Sequence, residues 1–386
     1  MIVITKGKNN FGWTYRFGKL PRRLAILNSV YMKTYAKFLL VFTTTIIAVS
    51  CNQKASAPET QQPQIFKIAF GSCGEQNKPQ PVLSLAADKE PDLFIFLGDN
   101  IYADTYEMDT LRYKYRMLGA KPEFQKLKSA TPLMATWDDH DYGWNDSGRH
   151  YPFKKESKKI FLDFFGVAVP EILEHDGIYH AKEFQSGDRK IQVIMLDLRT
   201  FRDKLLPYNG NRKGVKGFDY QLDYSPYTTS DSTMLGEQQW KWLEAQLKMP
   251  ADIRIIGSST QFGITHNGYE AWANFPHEQK RFVDLIRSTK AAGVLFISGD
   301  VHYAELSKLQ AEDMYPLYDL TASGITSTWD FATPNDNRID GAVMENHFGM
   351  LTIDQTESDP SILMEIHDVT GKVRISRTIK LSELQF

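Results

Sequence analysis

Two cysteines in 386 residues leave nothing from which to build a disulfide framework, so a small, stapled secreted scaffold is excluded. A formal net charge of −2 excludes a general basic field for nucleic acid. The nearest thing to a basic patch is Lys154, Lys155, Lys158 and Lys159. It alternates with Ile160, Phe161, Phe164 and Phe165 at helical spacing, which describes the solvated face of a helix. The apolar run at 38–49 falls short of the roughly 20 residues that a spanning helix needs. No internal repeat is visible, and no second linker interrupts the chain after Gln64. What remains is a chain that is 42% hydrophobic and 24% charged, ordinary for a globular protein and long enough for a substantial core.

The start of the chain has a different character. Lys33 and Lys37 precede the apolar run, which closes on Ala48-Val49-Ser50-Cys51. A short positive region, about a dozen apolar residues and a small residue at the cut describe an export signal. With cysteine following the cut, the segment resembles a bacterial lipoprotein signal, in which the Cys51 thiol receives lipid. Met32-Lys33 reads as a natural beginning, so 1–31 are expected to come from a start assigned too far upstream. The alternative is a signal anchor with a cytoplasmic arm. Residues 52–64 are polar, contain Pro58 and Pro63, and read as a flexible tether. The expected location is exported and lipid-anchored to a bacterial cell envelope membrane.

From residue 65 onward, strand-like and helix-like stretches alternate. Strands are expected at 65–70, 92–97, 132–136, 253–258 and 293–298, with helices at 82–88, 110–118, 122–128, 154–165, 235–247 and near 277–291. Ser186-Gly187-Asp188 signals a hairpin between 179–184 and 190–196, and Thr370-Gly371-Lys372 another between 362–367 and 373–379. The stretch 204–233 has Gly, Pro, Asn and Tyr without a period and reads as a long insertion loop. This order predicts one α/β domain over 65–386, a sandwich of two mixed β-sheets flanked by helices.

Four of these strands end in segments rich in metal-type side chains: Gly71-Ser72-Cys73, Gly98-Asp99-Asn100-Ile101-Tyr102, Trp137-Asp138-Asp139-His140-Asp141 and Gly299-Asp300-Val301-His302. In an open α/β sheet, ligands bind at the carboxyl ends of strands. A carboxylate such as Asp99 has lone pairs enough to bridge two cations. Tyr102, as a phenolate, would favour a hard metal such as ferric iron; taken alone, it is better explained as a hydrogen-bonded core residue. Cys73 alone is equally an inert small hydrophobe. Three carboxylates around His140 repel one another unless cations or solvent compensate. Asp300 and His302, two apart on an extended chain, point to one face.

Together these segments resemble the calcineurin-like metallophosphatase superfamily and, within it, the alkaline phosphatase D branch. The resemblance rests on Gly-Asp-Asn-Ile-Tyr-Ala-Asp at 98–104, Thr-Trp-Asp-Asp-His-Asp at 136–141, Leu-Asp-Leu-Arg-Thr-Phe-Arg at 196–202 and Gly-Asp-Val-His at 299–302. It implies two or more metal ions, Fe3+ with Ca2+ rather than Zn2+ or Mn2+. Cys73, Tyr102 and His302 would serve the first metal, Asp99 would bridge, and Asp139 and Asp300 would serve the second. The superfamily's histidine after the strand 253–258 is missing, and Gln261 is the substitute candidate. His140 would be the catalytic histidine, with Asp139 beside it. Arg199 and Arg202 could hold phosphate oxygens through a planar fork, the alternative being a salt bridge to acids such as Asp197. Asn100, Asp138 and Asn145 are further expected substrate contacts.

The implied activity is hydrolysis of phosphate mono- or diesters by a hydroxide activated between two metals. The alternatives are a phospholipase D-like activity on lipid headgroups and a non-catalytic, metal-containing surface lipoprotein. A monomer is expected.

Overall fold

A computed structural model describes residues 64–210 and 222–386. The expected lipidation site Cys51, the leader, nearly all of the tether and the central part of the insertion lie outside the described residues. Among the described residues no helix is long and apolar enough to cross a membrane.

Two mixed sheets form the frame. The first has six strands in the order Val373–Lys380, Ser361–Asp368, His347–Asp354, Ile65–Gly71, Leu93–Leu97 and Leu133–Thr136, the last three mutually parallel. The second has seven, in the order Arg338–Val343, Ala304–Leu309, Leu317–Ala322, Val294–Ser298, Ile253–Ser258, Arg189–Met195 and His180–Ser186. Its four middle strands, from Leu317–Ala322 to Arg189–Met195, run parallel.

Alternation along a strand decides what each face meets. Leu93, Ile95 and Leu97 join Ile255, Leu295 and Ile297 in the core that also holds Trp240 and Phe282. Phe94 and Phe96 point the other way and pack with Val82, Leu111, Phe124 and Phe161. These come from the helices Pro81–Asp88, Met108–Gly119, Pro122–Ala130 and Lys154–Phe165. Helices Gly236–Leu247 and Pro276–Thr289 supply Trp240, Leu243, Phe282 and Ile286 to the other core. The layering is therefore that of the expected sandwich.

Three features differ from expectation. Four strands between 304 and 354 lie outside the expected set; in two of them, Ala304–Leu309 and Leu317–Ala322, Glu305, Ser307, Asp319 and Thr321 interrupt the apolar pattern although all four are buried. They satisfy one another through a network with Gln261, Ser298 and Asn335. The insertion is partly ordered: Leu206–Pro207 pairs with Tyr224–Ser225. The polar loop after Leu133–Thr136 opens with a helical turn, Asp139–Tyr142, in which the Asp138 N–H donates to Asp141 Oδ1 at 2.7 Å.

Candidate metal centre

The loops that follow the parallel strands of both sheets converge at one edge. Two glycines make the approach possible. A Cβ on Gly98, whose φ is +97°, would lie 2.5 Å from Asp138 Cβ, and one on Gly299 would lie 2.4 Å from Ser72 Oγ. The cost of turning sharply at the strand ends is visible in the backbone. Cys73, Asp99, Asp104, Asp146, Asp300 and His302 all have positive φ, between 43° and 76°. Non-glycine residues avoid that region, and such strain gathers where a site demands it.

These turns bring acidic and metal-type side chains together in overlapping groups. Cys73, Asp99 and His302 form one; Asp99, Asp139 and His140 a second; Asp138, Asp139 and Asp300 a third; Asp139, Asp146 and Glu270 a fourth. Within each, one potential ligand atom per residue lies within 4.8 Å of the others. Asp99 joins the first two groups and Asp139 the last three, so the set is continuous. Tyr102 adds its hydroxyl, which donates to Asp99 Oδ2 at 3.4 Å, the same oxygen that Cys73 Sγ approaches at 3.4 Å. The Tyr102 backbone is pinned by Gln76, whose Oε1 accepts its N–H at 2.8 Å.

Electrostatics say what this arrangement lacks. Burial, and then the neighbouring Asp99, push the Cys73 thiol well above its ordinary range; burial with Cys73 and Asp99 does the same to Tyr102. Burial lifts Asp99 and Asp300 strongly, and Asp138 to about 7 despite the opposing Arg199. Asp139 is the exception: burial pushes it up, but Arg199 and His140 together hold it at about 2. Asp99 Oδ1, Asp138 Oδ2 and Asp139 Oδ1 are buried with no hydrogen-bond partner among the described residues. Buried carboxylate oxygens without partners are costly, and cations satisfy them. The residues present thus fit a multi-metal centre.

His140 stands at the edge of the cluster with 17% of its side chain exposed. Its Nδ1 lies 2.8 and 2.9 Å from the two Asp104 oxygens, and its ring packs against Tyr102 at 4.3 Å. Burial would lower its pKa, but Asp99, Asp139 and Asp104 outweigh that and raise it to about 11. Asp104, the last residue of the motif at 98–104, is by its geometry the partner that orients the imidazole. Glu270 had no sequence signal, since nothing around Gly268-Tyr269-Glu270 marks a site.

Several expected roles need correction. Gln261 stands inside the buried network of the second sheet: its Nε2 donates to Glu305 Oε1 at 2.9 Å and Thr321 Oγ1 at 3.0 Å, while its Oε1 is buried with no hydrogen-bond partner among the described residues. Asp138, expected to touch substrate, is buried, accepts from Arg199 Nε at 2.6 Å and Ser259 Oγ at 2.7 Å, and belongs with the metal-type acids. Arg199 and Arg202 do not present a free fork. Both are fully buried; Arg199 Nη1 donates to the Glu270 carboxylate at 2.7 and 2.8 Å, and Arg202 Nε lies 3.1 Å from the same group. The salt-bridge reading is nearer, with different partners, because Asp197 is occupied by the backbone N–H groups of Arg199 and Thr200. Asn100 is buried and donates to Thr136 O and Asp141 Oδ2. Asn145 is exposed at the rim, where it donates to Asp146.

A family model described as PhoD-like phosphatase matches residues 68–358. Alkaline phosphatase D of Bacillus subtilis (strain 168) is 22% identical over 295 residues, which cover 66% of this chain and 49% of that protein. The chain thus spans about half the length of the curated relative it matches. A solved structure of PhoD superposes with a TM-score of 0.63 at 18% identity, over 84% of this chain and 73% of that one. GAP50, the anchor in the inner membrane complex of Plasmodium, superposes with a TM-score of 0.50 at 13% identity, over 82% of this chain and 89% of its own. At these identities the structural likenesses carry the fold, that of the metallophosphatases.

Proposed function

The chain belongs to the PhoD-like phosphatase family, and on that premise we propose that it hydrolyses phosphate esters at the edge where the two sheets meet. The observation that carries the proposal is the continuous run of buried acids sharing Asp99 and Asp139, with His140 beside it. Cys73, Asp99, Tyr102 and His302 would hold a first cation; Asp99, Asp138, Asp139 and Asp300 would hold a second. Phenolate and carboxylate favour a hard, highly charged ion such as Fe3+, with the softer Cys73 thiolate a donor that iron also accepts, and an all-oxygen second set suits Ca2+. When bound, such cations act as Lewis acids on the phosphoryl oxygens and lower the pKa of an attacking water.

The chain's own residues supply the rest. His140 can donate Nε2–H to the departing alkoxide, while Asp104 fixes the ring through Nδ1. Arg199 acts at one remove, holding Asp138 and Glu270 in place. Turnover of 4-nitrophenyl phosphate and bis(4-nitrophenyl) phosphate tests the reading. Activity should vanish on chelation and fall at least about 100-fold in Asp99→Ala; activity that survives both rejects it. Export and anchoring through Cys51 form part of the proposal. Cys51→Ser should abolish incorporation of labelled fatty acid and release the protein from the membrane fraction.

A further inference from the structure

The segment after strand Leu317–Ala322 lies against the Gly71-Ser72-Cys73 turn, although Ser323 and Cys73 are 250 positions apart in the chain. Backbone bonds lock the two together. Ser72 N–H donates to Ala322 O at 3.1 Å, Ile325 N–H to Ser72 O at 3.0 Å, and the Thr326 and Ser327 N–H groups to Cys73 O, each at 3.1 Å. Ser323 sits inside this clasp, fully buried. Its Oγ accepts the His302 N–H at 2.9 Å and lies 3.1 Å from Cys73 Sγ. His302 is also held by Trp329, whose N–H donates to the His302 carbonyl at 2.9 Å and whose ring stacks on the imidazole at 5.1 Å. A hydroxyl has one proton to give and two lone pairs. His302 takes one lone pair of Ser323, and the Cys73 sulfur stands within reach of the proton. While Cys73 is a thiol, either atom can donate. A thiolate bound to a cation has no proton, so the hydroxyl must then be the donor. Ser72 Oγ is less well placed, 3.6 Å from the sulfur and 3.4 Å from Ala322 O, which competes for its proton.

We propose that Ser323 is a positioning residue of the first metal site: its hydroxyl donates to the Cys73 thiolate while accepting the His302 N–H, so that one side chain sets the spacing of two ligands and draws charge from the sulfur. The inference rests on the reading of Cys73 and His302 as ligands, and adds the group that tunes them. A hydrogen bond to a ligating sulfur weakens its donation to the cation, and outer partners of this kind are worth about 10–100-fold in metal affinity.

The test uses the full chain stripped of metal and reloaded with Co2+, whose thiolate charge-transfer band in the near ultraviolet reports on the sulfur. Cys73→Ser should remove the band. Ser323→Ala should keep it but move it to longer wavelength, because the sulfur lone pairs rise in energy, and Co2+ should bind about tenfold more weakly. Ser323→Thr, which keeps the hydroxyl, should return both toward the wild-type values. In the unaltered chain, loading in D2O should shift the cobalt–sulfur stretch in the resonance Raman spectrum, which decides the matter even if Ser323→Ala does not fold. A Cys73-dependent band at one wavelength in the wild-type chain and Ser323→Ala, or a stretch that ignores deuterium, overturns the proposal alone. The absence of any Cys73-dependent band overturns the first site as read, and the proposal with it. Turnover of the two aryl esters remains the separate check on the hydrolase.

Discussion

Asp99 and Tyr102 show why the site resists reading one residue at a time. Each carries an ionisable group that burial alone would keep protonated, and the neighbouring Asp99 raises Tyr102 further. A cation reverses that logic, because the charged forms then become the stable ones. A first site loaded with iron should therefore show a tyrosinate charge-transfer band in the visible spectrum. Tyr102→Phe should abolish the band, and a colourless loaded protein would remove iron from the first site. Arg199 poses the opposite question. Removing a guanidinium that neutralises buried Asp138 and Glu270 should cost on the order of 3–5 kcal/mol. Denaturant unfolding of metal-free Arg199→Ala measures this; a rise in KM with unchanged stability would restore the phosphate-fork role.

Elements carry a different kind of prediction. His180, at the start of the edge strand His180–Ser186, and His347, at the start of His347–Asp354, are fully buried. Burial lowers both to about 4, although each ring Nδ1 finds a backbone carbonyl. Above pH 6.5 they are neutral in both folded and unfolded chains and add no pH dependence. Between pH 6.5 and about 4 the unfolded chain takes protons that the folded one refuses, so stability falls as pH falls. The loss approaches on the order of 3 kcal/mol for each residue. The melting-temperature gap between the wild-type chain and His180→Asn, His347→Asn should shrink as pH drops through that window; a constant gap contradicts it. Much of this architecture was legible, because most strands and helices follow the apolar periods of 2 and 3.6. Strands such as Leu317–Ala322 were not, since their buried Asp319 and Thr321 are satisfied by partners distant in sequence.

At the scale of the molecule, two sheets bring loops more than 200 residues apart into one cluster, as the approach of Cys73 to Asp300 shows. That is why the ligand-bearing motifs could be found in sequence and their neighbours could not. Cys73, Asp99, Asp139 and His302 each follow a recognisable strand, whereas Glu270 and the burial of Arg199 depend on loops meeting across the sandwich. In the proposed function, Asp99 ties these parts into one multi-metal centre. Metal content per chain tests it most directly, by elemental analysis of purified wild-type protein beside Asp99→Ala. The expected result is about two or more equivalents in the wild-type chain, iron among them, falling below about one in the variant. No stoichiometric metal, or the same metal content in Asp99→Ala, would mean that Asp99 does not join a metal centre.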